Sequence, residues 1–148
     1  KAMKLYELVG GRVPFLLQTV DPRFSFSNPE QLEPALRAFP ETIFVGAHMG
    51  GHTFWKDATK VLAGRFDNLY VDISSTFFGV TLEEAASMVW AYGAERVLFG
   101  TDFPMWCPKV EVEKFMAMPL TEKERRIIAW DNGAKLLHLD IQAQAVGA

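Results

Sequence analysis

Three short stretches of the chain carry residue types that do acid–base or metal chemistry. In residues 96–104, RVLFGTDFP, an apolar run (Val97, Leu98, Phe99) reads as a short buried strand, and Gly100 breaks it. Asp102 then falls just past the strand's carboxyl end, and Pro104 turns the chain away. A carboxylate there can ligate a metal, act as a general base, or simply cap the following turn. In residues 46–51, GAHMGG, His48 follows a second apolar run and precedes two glycines that let backbone and ligand approach closely. A third run, FLLQTVDP over 15–22, leads into Gln18, with Asp21 and Arg23 on either side of Pro22. Those two charges could bind a substrate carboxylate or pair with each other on a rim.

Residues so far apart meet only if the chain supplies elements that bring them together. Residues 1–9 read as a helix ended by Gly10-Gly11, and 13–18 as an apolar strand followed by a long loop. Asn28 as N-cap and Pro29 in the first turn start a helix over 30–38. Strands at 42–47, 69–73 and 96–99 alternate with helices at 54–62 and from Thr81 to Tyr92, the latter stopped by Gly93. Thr121 and Glu124 form a capping box for a helix over 122–130, and a last helical turn or two covers 132–139. The tail, 140–148, is small and polar and is expected to fray. Four βα units make an α/β protein: a parallel sheet covered by helices, in strand order 1-2-3-4 by the right-handed crossover rule. Strand ends in such sheets collect binding groups, so Gln18, His48, Asp72 and Asp102 should share one end. A complete (β/α)8 barrel takes about 250 residues. A 148-residue chain with four units corresponds to half of one.

Taken in order, the motifs resemble the amidohydrolase-related family, metal-dependent TIM-barrel hydrolases and decarboxylases. FLLQTVDP lies where that family's fifth strand reads as an apolar run followed by His-Thr-Gly-Asp-Pro. GAHMGG resembles the sixth-strand His-Met-Gly motif, NLYVDISS (68–75) the seventh strand, LFGTDFP (98–104) the eighth, and DNGAKLLHL (131–139) the terminal helix. The resemblance covers about residues 13–139 and implies the carboxyl-terminal half of the barrel, with 1–139 as the half-barrel domain. The chain opens on Lys1 rather than Met, which leads to the expectation of sequence upstream.

By this resemblance His48 and Asp102 are the catalytic residues, His48 as acid/base and Asp102 as both metal ligand and proton acceptor. In one-metal members the matching His polarises or deprotonates the metal-bound water or the substrate; in two-metal members it is a ligand. The implied cofactor is a divalent metal, zinc by resemblance. Two departures weaken it. Gln18 stands where the family places a metal-binding His, and a neutral amide is a poor zinc ligand, although it can hydrogen-bond a substrate. The first-strand His-x-His pair is absent too, since His48, His52 and His138 are the only histidines. Catalytic zinc takes three protein ligands, so the chain by itself is expected to bind metal weakly or not at all.

The remaining candidates bear on substrate and partners. Phe24, Phe26, Phe54, Trp55, Phe77, Phe78, Phe103 and Trp106 all follow strand ends, where they could line a pocket for an aromatic or apolar substrate or pack on each other. Gln18, Arg23, Trp55, Phe103 and Trp106 are the substrate-binding candidates. Asp72 reads as a turn carboxylate that could position a catalytic group, His52 as a loop or rim residue, and His138 as part of the apolar terminal helix. With 49% hydrophobic residues the chain is too apolar for disorder. A net charge of −3 without a basic cluster argues against nucleic acid or an anionic membrane surface. No apolar run is long enough to span a bilayer, no secretory signal is visible, and the lone Cys107 fits a reducing cytoplasm. The expected function is metal-assisted hydrolysis of an amide, ester or lactone in a small substrate. The alternatives are non-oxidative decarboxylation of an aromatic acid and a non-catalytic half-barrel serving binding or assembly. Two unpaired sheet edges and an uncovered inner face lead to the expectation of a homodimer, or of pairing with an amino-terminal half-barrel.

Overall fold

A computed structural model describes residues 2–20 and 26–139. The elements run α1 (Ala2–Val9), β1 (Phe15–Leu17), α2 (Pro29–Ala38), β2 (Phe44–Gly46), α3 (Trp55–Leu62), β3 (Leu69–Asp72), α4 (Leu82–Tyr92) and β4 (Val97–Leu98). Three helices follow, α5 (Pro108–Ala117), α6 (Glu122–Arg126) and α7 (Asn132–Leu136), the last two joined by a π-helical segment, Ile127–Asp131. The strands form one parallel sheet in the order β1-β2-β3-β4. Among the described residues no helix is long and apolar enough to cross a membrane.

Strand alternation sorts the side chains. Phe44, Leu69, Val71, Ile73 and Val97 point to the helices and form the core with Leu32, Leu36, Ala58, Leu62, Ala85 and Val89. The opposite set, Leu16, Gln18, Val45, Ala47, Asp72, Leu98, Gly100 and Asp102, lines a cleft on the other face. That face is what a closed barrel would enclose. The strands are shorter than the apolar runs suggest, because beyond the paired residues the chain turns to present polar groups.

The expected capping box of Thr121 with Glu124 forms, and the structure adds a second, Thr81 with Glu84 at the start of α4. Helix α5 carries weak local signals. Its Val-Glu-Val-Glu run alternates with period two, and its N-cap, Cys107, makes no side-chain capping bond, so the only start signal is Pro108. His138 lies beyond α7, exposed and with φ of 51°, rather than within the terminal helix. The tail 140–148 falls outside the described residues.

Two asparagines and a carbonyl tie the ends of the strands to their surroundings. Asn68 Nδ2 donates to the Leu36, Phe39 and Thr42 carbonyls, closing the α2–β2 turn onto β3. Asn132 Nδ2 donates to the carbonyls of Ala94 (2.8 Å) and Val97 (2.7 Å), which docks α7 on the start of β4. The Ile128 carbonyl inside the π segment accepts the Phe99 N–H at 3.0 Å, extending β4 toward Asp102. Asn132→Ala strands two carbonyls at a buried position and is expected to lower unfolding stability by about 2 kcal/mol. Urea denaturation measures this.

Candidate active site

Three successive residues of the His48 segment depart from ordinary backbone geometry. His48, Met49 and Gly50 all take left-handed conformations, with φ of 57°, 55° and 74°. Such residues are costly for side chains with a Cβ and persist only where surroundings enforce them. The enforcement is visible. Met49 is completely buried. The Tyr92 hydroxyl, from α4, donates to the Met49 carbonyl at 3.1 Å. Burial pushes the Tyr92 phenol well above its ordinary range, so it remains a donor. Gly46 and Gly50 approach so closely that a Cβ on Gly46 would stand 3.1 Å from the Gly50 Cα, and one on Gly51 would stand 2.5 Å from the Ala58 Cβ. The glycines of GAHMGG are therefore steric requirements.

The turn aims the His48 ring, and Asp72 holds it there. Asp72 Oδ1 accepts the His48 N–H (3.3 Å), the Ser74 N–H (2.9 Å) and the Ser74 hydroxyl. His48 Nδ1 lies 2.9 Å from Ser74 Oγ and 3.1 Å from the Ser74 carbonyl. A carbonyl can only accept, so Nδ1 carries a proton and Nε2 is left as the working nitrogen. Nε2 faces Gln18 Oε1 at 3.2 Å. A charged ring donates to that oxygen, and a neutral ring takes an N–H from the same carboxamide turned over. Gln18 thus serves both protonation states of His48. Burial raises the Asp72 pKa, and the Ser74 and His48 bonds offset part of the rise.

Asp102 arrives from the other side of the cleft. It is exposed, has φ of 56°, and heads a tight turn in which its carbonyl accepts the Met105 N–H at 2.8 Å. Its Oδ2 accepts the Ser75 hydroxyl at 2.6 Å. Gln18, His48, Asp72, Ser74 and Asp102 line one cleft of about 560 Å³, floored by Leu16, Val45, Leu98 and Phe99. The four residues expected at one end of the sheet do lie there.

An aromatic cluster continues from His48. His52 packs edge-on to His48 (5.2 Å between ring centroids), against Phe78 (5.4 Å) and near Trp55 (6.2 Å), while Phe78 stacks on Trp106 at 5.4 Å and 17°. His52 is thus an inward member of the site, which loop position alone did not reveal. Burial and the nearby His48 lower its pKa, with Asp102 pulling the other way. Trp106 also donates its indole N–H to Ser75 Oγ at 2.7 Å. Trp55 is buried under this cluster and borders a separate cavity of about 610 Å³ between α3 and α4. Phe103 is 73% exposed on the rim. Arg23, with Asp21, lies outside the described residues. Ser74 and Ser75 close the NLYVDISS run, and their contacts to His48 and Asp102 are tertiary ones that no spacing encodes.

The amidohydrolase family matches residues 5–139 of the chain. The chain belongs to that family. Its fold agrees with solved structures. An uncharacterised TIM-barrel protein from Bordetella bronchiseptica superposes with a TM-score of 0.76 and 28% identity, over 91% of this chain and 49% of that one. An amidohydrolase from Burkholderia multivorans with bound zinc gives 0.76 at 12% identity, over 93% and 57%. A dihydroxybenzoic acid decarboxylase from Polaromonas with bound manganese and 2-nitroresorcinol gives 0.64 at 20% identity, over 93% and 53%. This amidohydrolase-family chain spans about half the length of these solved structures, and four βα units are half a TIM barrel. No curated protein matches it.

Two of these solved structures hold zinc or manganese. Among the described residues no three His, Cys, Asp or Glu side chains are grouped so as to hold a metal. The cleft offers His48 Nε2 and the Asp102 carboxylate as donors, with Gln18 neutral, fewer than the three protein ligands that a catalytic zinc takes. These residues do not make a metal site among themselves.

Asp72 yields a pH prediction. Its folded pKa is raised, so the folded state holds this proton more tightly than the unfolded chain. Its contribution to stability is full below the unfolded value of about 3.9 and is lost as pH rises through the folded value. Asp72→Asn keeps an acceptor and removes the buried charge. Relative to wild type, this variant is expected to gain stability from pH 4 to pH 7 in denaturation curves.

Proposed function

We propose that the chain supplies the acid–base side of an amidohydrolase-family active site acting on a small aromatic acid, with loss of the carboxyl group as CO2 as its reaction. The observation carrying this reading is the run of rings from His52 through Phe78 to Trp106 beside the apolar-floored His48–Asp102 cleft. A planar ring binds well against such a wall. Structural relatives include a decarboxylase complexed with 2,6-dihydroxybenzoate and the Polaromonas enzyme with 2-nitroresorcinol.

In the proposed reaction the C–C bond to the carboxylate breaks and its electron pair stays on the ring carbon, which must take a proton. His48 Nε2 is the group placed to deliver it, because Ser74 fixes the opposite nitrogen and Gln18 accommodates the ring before and after transfer. Asp102 offers an acceptor that orients a substrate hydroxyl. A resident divalent metal in the complete barrel would supply charge to bind the substrate carboxylate, with its remaining ligands from outside this chain. The likeness to the zinc-bound Burkholderia amidohydrolase supports a second reading, hydrolysis of an amide, ester or lactone, with His48 taking a proton rather than giving one.

Titration of the protein with 2,6-dihydroxybenzoate, followed by NMR, is expected to show saturable binding that weakens about tenfold in His48→Ala, the loss of one charge-assisted hydrogen bond. With carboxyl-labelled substrate and added manganese or zinc, the complete barrel should release labelled CO2. Absence of binding would overturn the aromatic-acid reading, and turnover of a lactone or amide without CO2 would establish the hydrolytic one.

The exposed inner face carries Leu16, 68% exposed, and among the described residues β1 pairs only with β2 and β4 only with β3. We propose that four further βα units close this face and complete the site, and that the isolated chain recruits a second copy for the purpose. A twofold axis along the barrel would pair β4 of each copy with β1 of the other in parallel and bring both sets of His48 and Asp102 to one rim. Light scattering at micromolar concentration should give twice the 16.6 kDa chain mass. A stable, folded monomer would refute self-closure.

A further inference from the structure

We propose that Ser75 is a positioning residue that locks the Asp102 carboxylate to the Trp106 indole, so that the acid and the aromatic wall of the site are set as one unit. Ser75 is 2% exposed and sits in a left-handed conformation, φ 48°. That kink interrupts the strand alternation after Ser74, so two consecutive hydroxyls serve the same site. The direction of the contacts follows from valence. An indole N–H can only donate and a carboxylate can only accept. Ser75 Oγ must therefore take the Trp106 N–H at 2.7 Å and give its single proton to Asp102 Oδ2 at 2.6 Å. The negative end polarises the hydroxyl and makes it a better acceptor for the indole, so each bond strengthens the other.

Neither partner is fixed equally well by anything else. Asp102 is exposed, and among the described residues its carboxylate takes no other hydrogen bond. Trp106 is half-buried, and its other ring contact is the stack on Phe78, itself 46% exposed. Without Ser75 the carboxylate would rotate freely at a surface turn and the indole would lose its anchor. With Ser75, a planar ligand lying along Phe78 and Trp106 meets a carboxylate oriented by the same indole. Ligand selection and acid placement then share one hydroxyl. This use of the relay rests on the aromatic-acid reading above, while the relay's bonds do not.

The test reads the Trp106 indole N–H resonance in a two-dimensional 1H–15N spectrum, assigned by its disappearance in Trp106→Phe. Asp102→Gly removes the carboxylate and tolerates the positive φ, so folding is preserved. It should move the resonance upfield, with Asp102→Asn moving it less in the same direction. Ser75→Ala should give the largest shift, and adding Asp102→Gly to Ser75→Ala should change nothing more. An indole resonance unmoved in Asp102→Gly would overturn the proposal, as would a further shift in the double variant. Should Ser75→Ala fail to fold, the two Asp102 variants decide alone. These spectra need no ligand: failure of 2,6-dihydroxybenzoate to bind counts against the aromatic-acid reading and leaves the relay standing, whereas an unmoved resonance removes the relay and leaves that reading intact.

Discussion

A single oxygen of Asp72 accepts the His48 N–H, the Ser74 N–H and the Ser74 hydroxyl, and the reactive end of the sheet is organised around that point. It joins the end of β2 to the end of β3 where regular pairing stops. It fixes the serine that fixes the imidazole, and it compensates a left-handed turn that would otherwise be too costly to keep. One residue further, Ser75 reaches across to the turn after β4. The last residues of β3 therefore coordinate three strands, although none of them makes an obvious chemical contribution of its own.

Rigidity at this end comes from the helical layer behind it. Tyr92 reaches from α4 to the Met49 carbonyl, and Met49 fills the space between sheet and helices. Stability and site geometry are thus expressed through the same contacts. A substitution in α4 that lets Tyr92 retreat would loosen the His48 turn without touching the cleft.

Much of this was readable from residue types alone. The alternation of apolar runs with helix starts at Thr81 and Thr121 carries the βα order, and GAHMGG and GTDFP place His48 and Asp102 at strand ends. Local rules apply there: a cap, a glycine needed for close approach, a strand end. What escaped depends on contacts between distant segments. Helix α5 hid behind a period-two pattern. His52 looked peripheral until the turn at residues 48–50 folded it back against His48 and Phe78. Ser75 and the anchoring of Trp106 needed three separate segments in register. That Gln18 would stand opposite His48 Nε2 likewise depends on β1 and β2 being paired, which residue type alone does not show.

Among the described residues, Asp72 and Ser74 hold the His48 segment, Gln18 faces its Nε2, and Ser75 donates to Asp102. These contacts tie the ends of all four strands together around one cleft. A complementary half that closed the barrel, as proposed above, would meet a rim whose side chains are already tied to one another. Divergence in that half would leave these contacts untouched, which gives recombination at the barrel's midline a direct route to variation of the opposite wall.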